Sequence, residues 1–133
     1  GQNIHGKQGI IPIFLNSYLH KEPVHIYGDG TMVRDYIYID DLVNMIAGTF
    51  DRKTQHTIYN LGSGVGASVN DVVHAIEQHI GDSVDKVFIE APAIFVKNSV
   101  LNISRFTDEF KITPATSLQG GIGKTWNYVK AIQ

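Results

Sequence analysis

The stretch Val24-His25-Ile26-Tyr27-Gly28-Asp29-Gly30-Thr31-Met32-Val33-Arg34-Asp35-Tyr36-Ile37-Tyr38-Ile39-Asp40-Asp41 decides how the rest of the chain is read. It reads as an extended segment, a glycine-punctuated turn, a second extended segment and the start of a helix: a β-hairpin leading into a helix. Gly28, Asp29 and Gly30 make the turn, since glycine reaches positive φ without steric cost and aspartate folds back on its own backbone. Beyond it, a period of two sets Val33, Ile37 and Ile39 on one face and Arg34, Tyr36, Tyr38 and Asp40 on the other. The apolar face anchors the strand, and the opposite face presents one arginine flanked by tyrosines. A guanidinium pairs with phosphate in a fork geometry, so this face is a candidate site for an anionic, ring-bearing ligand. The alternative is a surface strand whose arginine pairs with Asp35 or Asp40, an arrangement worth little.

Upstream, residues 1–8 read as a polar loop. Ile11, Phe14, Leu15, Tyr18 and Leu19 then recur at the spacing of a half-buried helix over residues 9–20. Pro12 is tolerated in its first turn, and Pro23 follows its end. Downstream, Asp40 or Asp41 is placed to cap a helix over residues 42–50 that buries Leu42, Met45, Ile46 and Phe50. Thr57-Ile58-Tyr59-Asn60-Leu61 has strand composition and runs into Gly62-Ser63-Gly64-Val65-Gly66. Ser68 and Asp71 form a capping box for a helix carrying Val69, Val72, Val73, Ile76 and Ile80, which Gly81 stops. A short strand over 86–90, an extended segment over 99–103 and a short helix from Ser104 or Thr107 come next. Ser117 caps a last helix with the stripe Leu118, Ile122, Trp126 and Val129. The element order is α-β-β-α-β-α-β-β-α-α, and no internal repeat interrupts it.

One domain's worth of chain, 133 residues with 43% hydrophobic content, suffices for a packed core. The net charge of −2 and the absence of any Lys/Arg run argue against a nucleic-acid or anionic-membrane partner. There is no cysteine, which excludes disulfides and thiolate chemistry and suits a cytoplasmic protein. Apolar runs fall well short of the ~18 residues of a membrane span. The start at Gly1, without a methionine or capping signal, is read as that of a fragment.

Three motifs are weaker than they look. Gly62-Ser63-Gly64-Val65-Gly66 mimics a dinucleotide-binding turn, but Ala67 stands where G-x-G-x-x-G needs glycine, so a tight turn feeding a capped helix is the reading taken. Gly123-Lys124-Thr125 resembles the end of a P-loop, yet Leu118 occupies its first glycine position and a helical period runs straight through. The six histidines, His5, His20, His25, His56, His74 and His79, form no local metal pair.

Tyr27-Gly28-Asp29-Gly30 followed by Val33-Arg34-Asp35-Tyr36-Ile37-Tyr38-Ile39-Asp40-Asp41-Leu42 resembles the signature of the extended short-chain dehydrogenase/reductases (SDRs). The likeness is to their NAD-dependent epimerase/dehydratase family, and most nearly to its UDP-glucose 4-epimerase branch. It continues through Ile11-Pro12-Ile13-Phe14, Tyr59-Asn60-Leu61-Gly62-Ser63-Gly64 with Ser68-Val69, and Pro114-Ala115-Thr116-Ser117-Leu118 with Gly121, Trp126 and Tyr128. The resemblance implies an α/β fold: the C-terminal, substrate-binding portion of an extended SDR, mixed α+β with short strands and amphipathic helices, its Rossmann domain absent. Residues 1–133 are then one nucleotide-sugar-binding unit of a longer enzyme. That enzyme would bind NAD through its missing N-terminal domain, oxidise the sugar at C4, let the ketose rotate and return the hydride to the other face. It would be cytoplasmic and homodimeric at full length.

The family's Tyr-x-x-x-Lys pair has no counterpart here, so no catalytic residue is assigned and the 133 residues alone are expected to be inactive. By resemblance Arg34 binds the diphosphate of a UDP-sugar or related nucleotide sugar, with Tyr36 beside it. The backbone of His25, Ile26 and Tyr27 lines the uracil. The departure lies between Glu90 and Asn102. An arginine and an aspartate expected before Val100-Leu101-Asn102 fall on Pro92 and Phe95, or on Ile94 and Lys97. Lys97 supplies a point charge but not a fork, so the second phosphate clamp is weakened or rebuilt. A 4,6-dehydratase or decarboxylase of the same family, or a nucleotide binder without turnover, is the alternative. The surface meant for the Rossmann domain is expected to be exposed and to promote self-association.

Overall fold

A computed structural model describes residues 8–132, and the reading of residues 1–7, His5 included, lies outside them. The order is α1 (Ile10–His20), β1 (Val24–Tyr27), β2 (Val33–Asp35), α2 (Ile39–Ala47), β3 (Gly66–Ser68), α3 (Val69–Ile80), β4 (Lys86–Ile89), β5 (Asn98–Ser99), α4 (Ser104–Phe110) and α5 (Leu118–Ala131). Helices and strands alternate as expected, except that the third strand lies at Gly66–Ser68 and not at 57–61, in a small α/β architecture.

The hairpin does not form. β1 pairs in parallel with β4, Val24 opposite Lys86 and Tyr27 opposite Ile89. β2 sits in a separate sheet between β3, antiparallel, and β5, parallel. The intervening turn has the predicted chemistry: Gly28 and Gly30 have φ of 67° and 76°, and Asp29 Oδ1 accepts from the Thr31 N–H at 3.0 Å. Its direction is set from outside. The Asn70 N–H donates to the Gly30 carbonyl at 3.1 Å and Asn70 Nδ2 to the Asp29 carbonyl at 3.0 Å. A Cβ on Gly30 would lie 2.1 Å from Asn70 Oδ1, so only glycine allows this contact. The start of α3 therefore pulls the turn away from hairpin closure.

The second strand of the stretch is shorter than its alternation suggested, ending at Asp35. Tyr38, not an aspartate, is the N-cap of α2. Asp40 and Asp41 lie in its first turn, where the positive end of the helix dipole favours them. Asp41 Oδ2 also accepts from the Thr116 N–H at 2.8 Å, tying α2 to the approach of α5. Of the four residues expected to be buried on this helix, only Met45 is fully so; Ile46 and Phe50 are exposed. Residues 57–61 form no strand. Side chains tie the segment down instead: Arg105 Nη1 donates to the Ile58 carbonyl at 3.0 Å, and Asn60 Nδ2 donates to the Asn102 carbonyl at 3.2 Å. The ladder forms later, at β3, and β5 covers only the first residue of the extended segment predicted at 99–103.

The helices follow their patterns more closely. Ser68 and Asp71 make the capping box of α3 in both directions, and Gly81 ends that helix at φ 74°. Ser117 Oγ accepts from the Gly120 N–H at 3.1 Å to open α5. The apparent P-loop is helix throughout, and its Gly123 has a packing reason. A Cβ there would stand 2.8 Å from the His79 ring, so the glycine lets α5 approach α3. The main core gathers Phe14, Leu15, Val24, Ile26, Val72, Ile76, Ile122 and Val129 from α1, β1, α3 and α5. A second, smaller cluster joins Met45 to Phe106 and Phe110 of α4.

Candidate nucleotide-binding site

The period of two in β1 builds one wall of a pocket. Val24 and Ile26 are buried and turn into the core, so His25 and Tyr27 must emerge on the other side. β2 supplies Arg34, whose neighbours Val33 and Asp35 point the opposite way, and the irregular segment after β2 supplies Tyr36. His25, Tyr27, Arg34 and Tyr36, together with Ile26 of β1, line a single cavity of about 260 Å³, although they come from β1, β2 and the irregular segment after it. The structure thus brings together every site residue expected from the sequence.

Arg34 is half-buried. Its Nη1 donates to the Val33 carbonyl at 2.7 Å, and among the described residues no carboxylate forms an ion pair with it; the recorded pair is Lys86 with Glu77, 2.8 Å apart. The surface-pair alternative therefore fails, because neither Asp35 nor Asp40 neutralises the guanidinium. Asp35 is engaged elsewhere: its carboxylate accepts from the Ser63 N–H at 2.7 Å, the Ser63 hydroxyl at 2.6 Å and the Gly64 N–H at 3.0 Å. Tyr36 is pushed up in pKa by burial, with the nearby Arg34 charge pulling the other way, so its hydroxyl stays protonated at neutral pH. The pocket offers a hydroxyl donor beside a cation with unused donors, a combination that suits a phosphate.

The remaining wall went unread in the sequence. Phe95 lines the pocket with its ring edge-to-face against Tyr27, centroids 5.4 Å apart at 72°. Phe14, Met32 and Val69 close the apolar floor. Phe95 comes from the segment where an arginine or aspartate was expected, and its pairing with Tyr27 spans 68 positions, so no local period could have announced it. Lys97, the candidate substitute clamp, does not line this pocket. Its charge instead helps to hold the Asp29 carboxyl below the usual range, a shift owed first to the Thr31 hydroxyl 2.6 Å away.

A larger cleft of about 360 Å³ lies between α1, the segment after β2 and the start of α5. Tyr36 borders both cavities. Its one carboxylate, Asp35, is occupied by the Ser63 and Gly64 loop, and Lys124 lies 4.6 Å from the centre of the Tyr38 ring on its margin. Among the described residues, the smaller pocket is lined by a cation, Arg34, that has no carboxylate partner.

Sequence comparison agrees with this geometry. Residues 1–62 match the NAD dependent epimerase/dehydratase family. The chain is 34% identical over 93% of its length to the dTDP-4-dehydro-6-deoxyglucose reductase of Escherichia coli, of which it covers 39%. The chain is thus similar to proteins of the NAD-dependent epimerase/dehydratase family. Among solved members, the UDP-glucose 4-epimerase of Thermotoga maritima, determined with UDP-glucose, superimposes at a TM-score of 0.90 with 29% identity; 98% of this chain and 42% of that one are covered. The UDP-glucuronic acid 4-epimerase of Bacillus cereus, with UDP-glucuronic acid and NAD, gives 0.87 at 26% identity over 95% and 41%. The chain thus spans about two fifths of the length of these relatives, an α/β unit consistent with a C-terminal portion of such an enzyme.

The helix start after the glycine-rich loop does not fit a dinucleotide. A pyrophosphate needs free N–H groups at a helix N-terminus, and after the glycine-rich loop that place is filled. The Asp71 carboxylate accepts from the Ser68 N–H at 2.8 Å, and Ser68 Oγ takes the Asp71 N–H at 3.0 Å. Among the described residues no cluster of metal-ligating side chains occurs, and no helix is long and apolar enough to cross a membrane.

Proposed function

We propose that residues 1–133 are the nucleotide-sugar-binding unit of a longer NAD-dependent epimerase of the UDP-glucose 4-epimerase type, a cytoplasmic isomerase of galactose metabolism. The observation that carries this reading is the convergence of His25, Ile26, Tyr27, Arg34 and Tyr36 on one pocket in which the arginine has no carboxylate partner. In it Arg34 clamps the diphosphate and Tyr36 donates its hydroxyl to a phosphate oxygen. β1 is hydrogen-bonded to β4 along one edge. The main-chain groups of its other edge suit the alternating donors and acceptors of uracil.

The partner of this unit is its own N-terminal Rossmann domain, which binds NAD and supplies the acid/base residues. Support comes from α2, where Ile39, Val43 and Ile46 recur at helical spacing, followed by Phe50 just beyond the helix, all exposed. Such a stripe suits a packed interface rather than solvent. The full-length protein is a homodimer on this reading, and the 133 residues alone bind without turnover.

Titration with UDP tests the site. Arg34→Ala is expected to remove a charge-assisted phosphate contact worth about 1.5–3 kcal/mol, roughly a 10- to 150-fold loss of affinity. Unchanged affinity would remove Arg34 from the site. Conversion of UDP-glucose to UDP-galactose by the full-length protein would support the activity. Absence of any epimerase, dehydratase or decarboxylase turnover on UDP-, dTDP- and GDP-sugars would refute it. The name of the Escherichia coli relative makes dTDP the first competitor to set against UDP.

A further inference from the structure

The aromatic wall of the pocket and its single cation point to how a ligand is selected. Tyr27 and Phe95 are 45% and 40% exposed, and they meet edge-to-face, so no ring can enter between them. Each instead leaves ring surface toward the pocket it lines. Arg34 is the pocket's one lysine or arginine among the described residues. Four other cations are engaged away from it: Arg105 with the Ile58 carbonyl, Arg52 with the Phe110 carbonyl at 3.2 Å, Lys86 with Glu77 and Lys124 with the Tyr38 ring. The face of an aromatic ring carries negative potential, which disfavours a phosphate and favours a planar heterocycle.

We infer that Phe95, braced by Tyr27, is the stacking platform for the heterocycle of the bound nucleotide, making it a specificity-determining residue. The site then reads its ligand as one ring on Phe95 and one phosphate contact on Arg34, without a second cationic clamp. This rests on the pocket being the nucleotide site proposed above. Two ligand properties are recognised by two residues from different parts of the chain, and each can be removed separately.

The experiment is calorimetric titration of the full chain with UDP and, separately, with inorganic pyrophosphate, which carries the charge without the ring. Phe95→Ala is expected to weaken UDP binding about tenfold, within the range of base–aromatic stacking, and to leave pyrophosphate binding unchanged. Phe95→Trp is expected to retain UDP binding, and Phe95→Arg to strengthen pyrophosphate binding. Arg34→Ala should weaken both ligands. Phe95 lies on an exposed segment, so unchanged thermal midpoints confirm that the variants remain folded. UDP binding that depends on Arg34 but ignores Phe95→Ala would overturn this inference alone, leaving Phe95 as packing for Tyr27. An equal loss of pyrophosphate binding in Phe95→Ala would overturn it too. A wild-type chain that binds no UDP would bring down the nucleotide reading with it.

Discussion

The two hydrophobic clusters of the molecule differ in how far their helices are surrounded. Around α3, thirteen buried residues from α1, β1, α3 and α5 close on one another, and Leu15, Val24, Val72 and Ile76 are completely inaccessible. Around α2, three residues are buried, and the helix keeps Val43 and Ile46 in solvent, 53% and 43% exposed. Both helices are amphipathic in sequence. α3 has neighbours all along its apolar stripe, whereas α2 buries Met45 fully and Leu42 partly and leaves Ile39, Val43 and Ile46 exposed. An amphipathic pattern therefore says that a face requires a partner, and not that the partner belongs to the same 133 residues.

Five substitutions break or sharpen that contrast. Ile76→Ala empties a fully enclosed site and is expected to cost about 3–4 kcal/mol in chemical denaturation. A loss under about 1 kcal/mol would mean that the larger cluster is loosely packed. Asp35→Ala strikes the joint between the two regions, since this carboxylate on β2 also accepts from the Leu101 N–H at 3.3 Å besides Ser63 and Gly64. About 2 kcal/mol is expected, with faster amide exchange confined to residues 62–64 and 101.

Ser68→Ala removes the α3 cap and should cost about 1 kcal/mol. The same box carries a pH dependence. Hydrogen bonds from Ser68 hold the Asp71 carboxyl below its ordinary value of 3.8. A depressed folded pKa contributes stability that is full above the unfolded value and is lost as pH falls through the folded one. Acid unfolding below about pH 4 should therefore be less steep in Asp71→Asn, and identical acid limbs would contradict this cause. Phe50→Ser, at 69% exposure, is expected to change stability by less than about 0.5 kcal/mol while reducing self-association in light scattering. A wild-type chain that scatters as a clean monomer would contradict the role given to the α2 face.

Local chemistry was legible and long-range pairing was not. The capping box at Ser68 and Asp71, the positive φ of Gly28 and Gly30, the stop at Gly81 and the stripe of α5 were all written in spacings of four residues or fewer. The partners of β1 and β2 were not. Two strands joined by a short turn ordinarily form a hairpin, but Asn70, 40 positions beyond Gly30, holds the turn in another direction. Residues 57–61 carry strand composition without a strand neighbour among the described residues, since β-propensity expresses fit to a sheet and not a property of the backbone alone. In the site, the alternation and the family signature singled out Arg34, Tyr36 and the 25–27 segment, whereas Phe95 became visible only through its contact with Tyr27.

The sequence by itself determined the caps and stops of α3 and α5, the family resemblance and the residues that line one side of the pocket, because capping, periodicity and motif spacing act over a few residues. Tertiary structure alone decided that Val24–Tyr27 and Val33–Asp35 belong to separate sheets, that Arg34 has no acidic partner among the described residues, and that Phe95 completes the wall. Those outcomes depend on which distant segments meet, and each meeting is set by packing and hydrogen bonds between parts of the chain that share no local pattern.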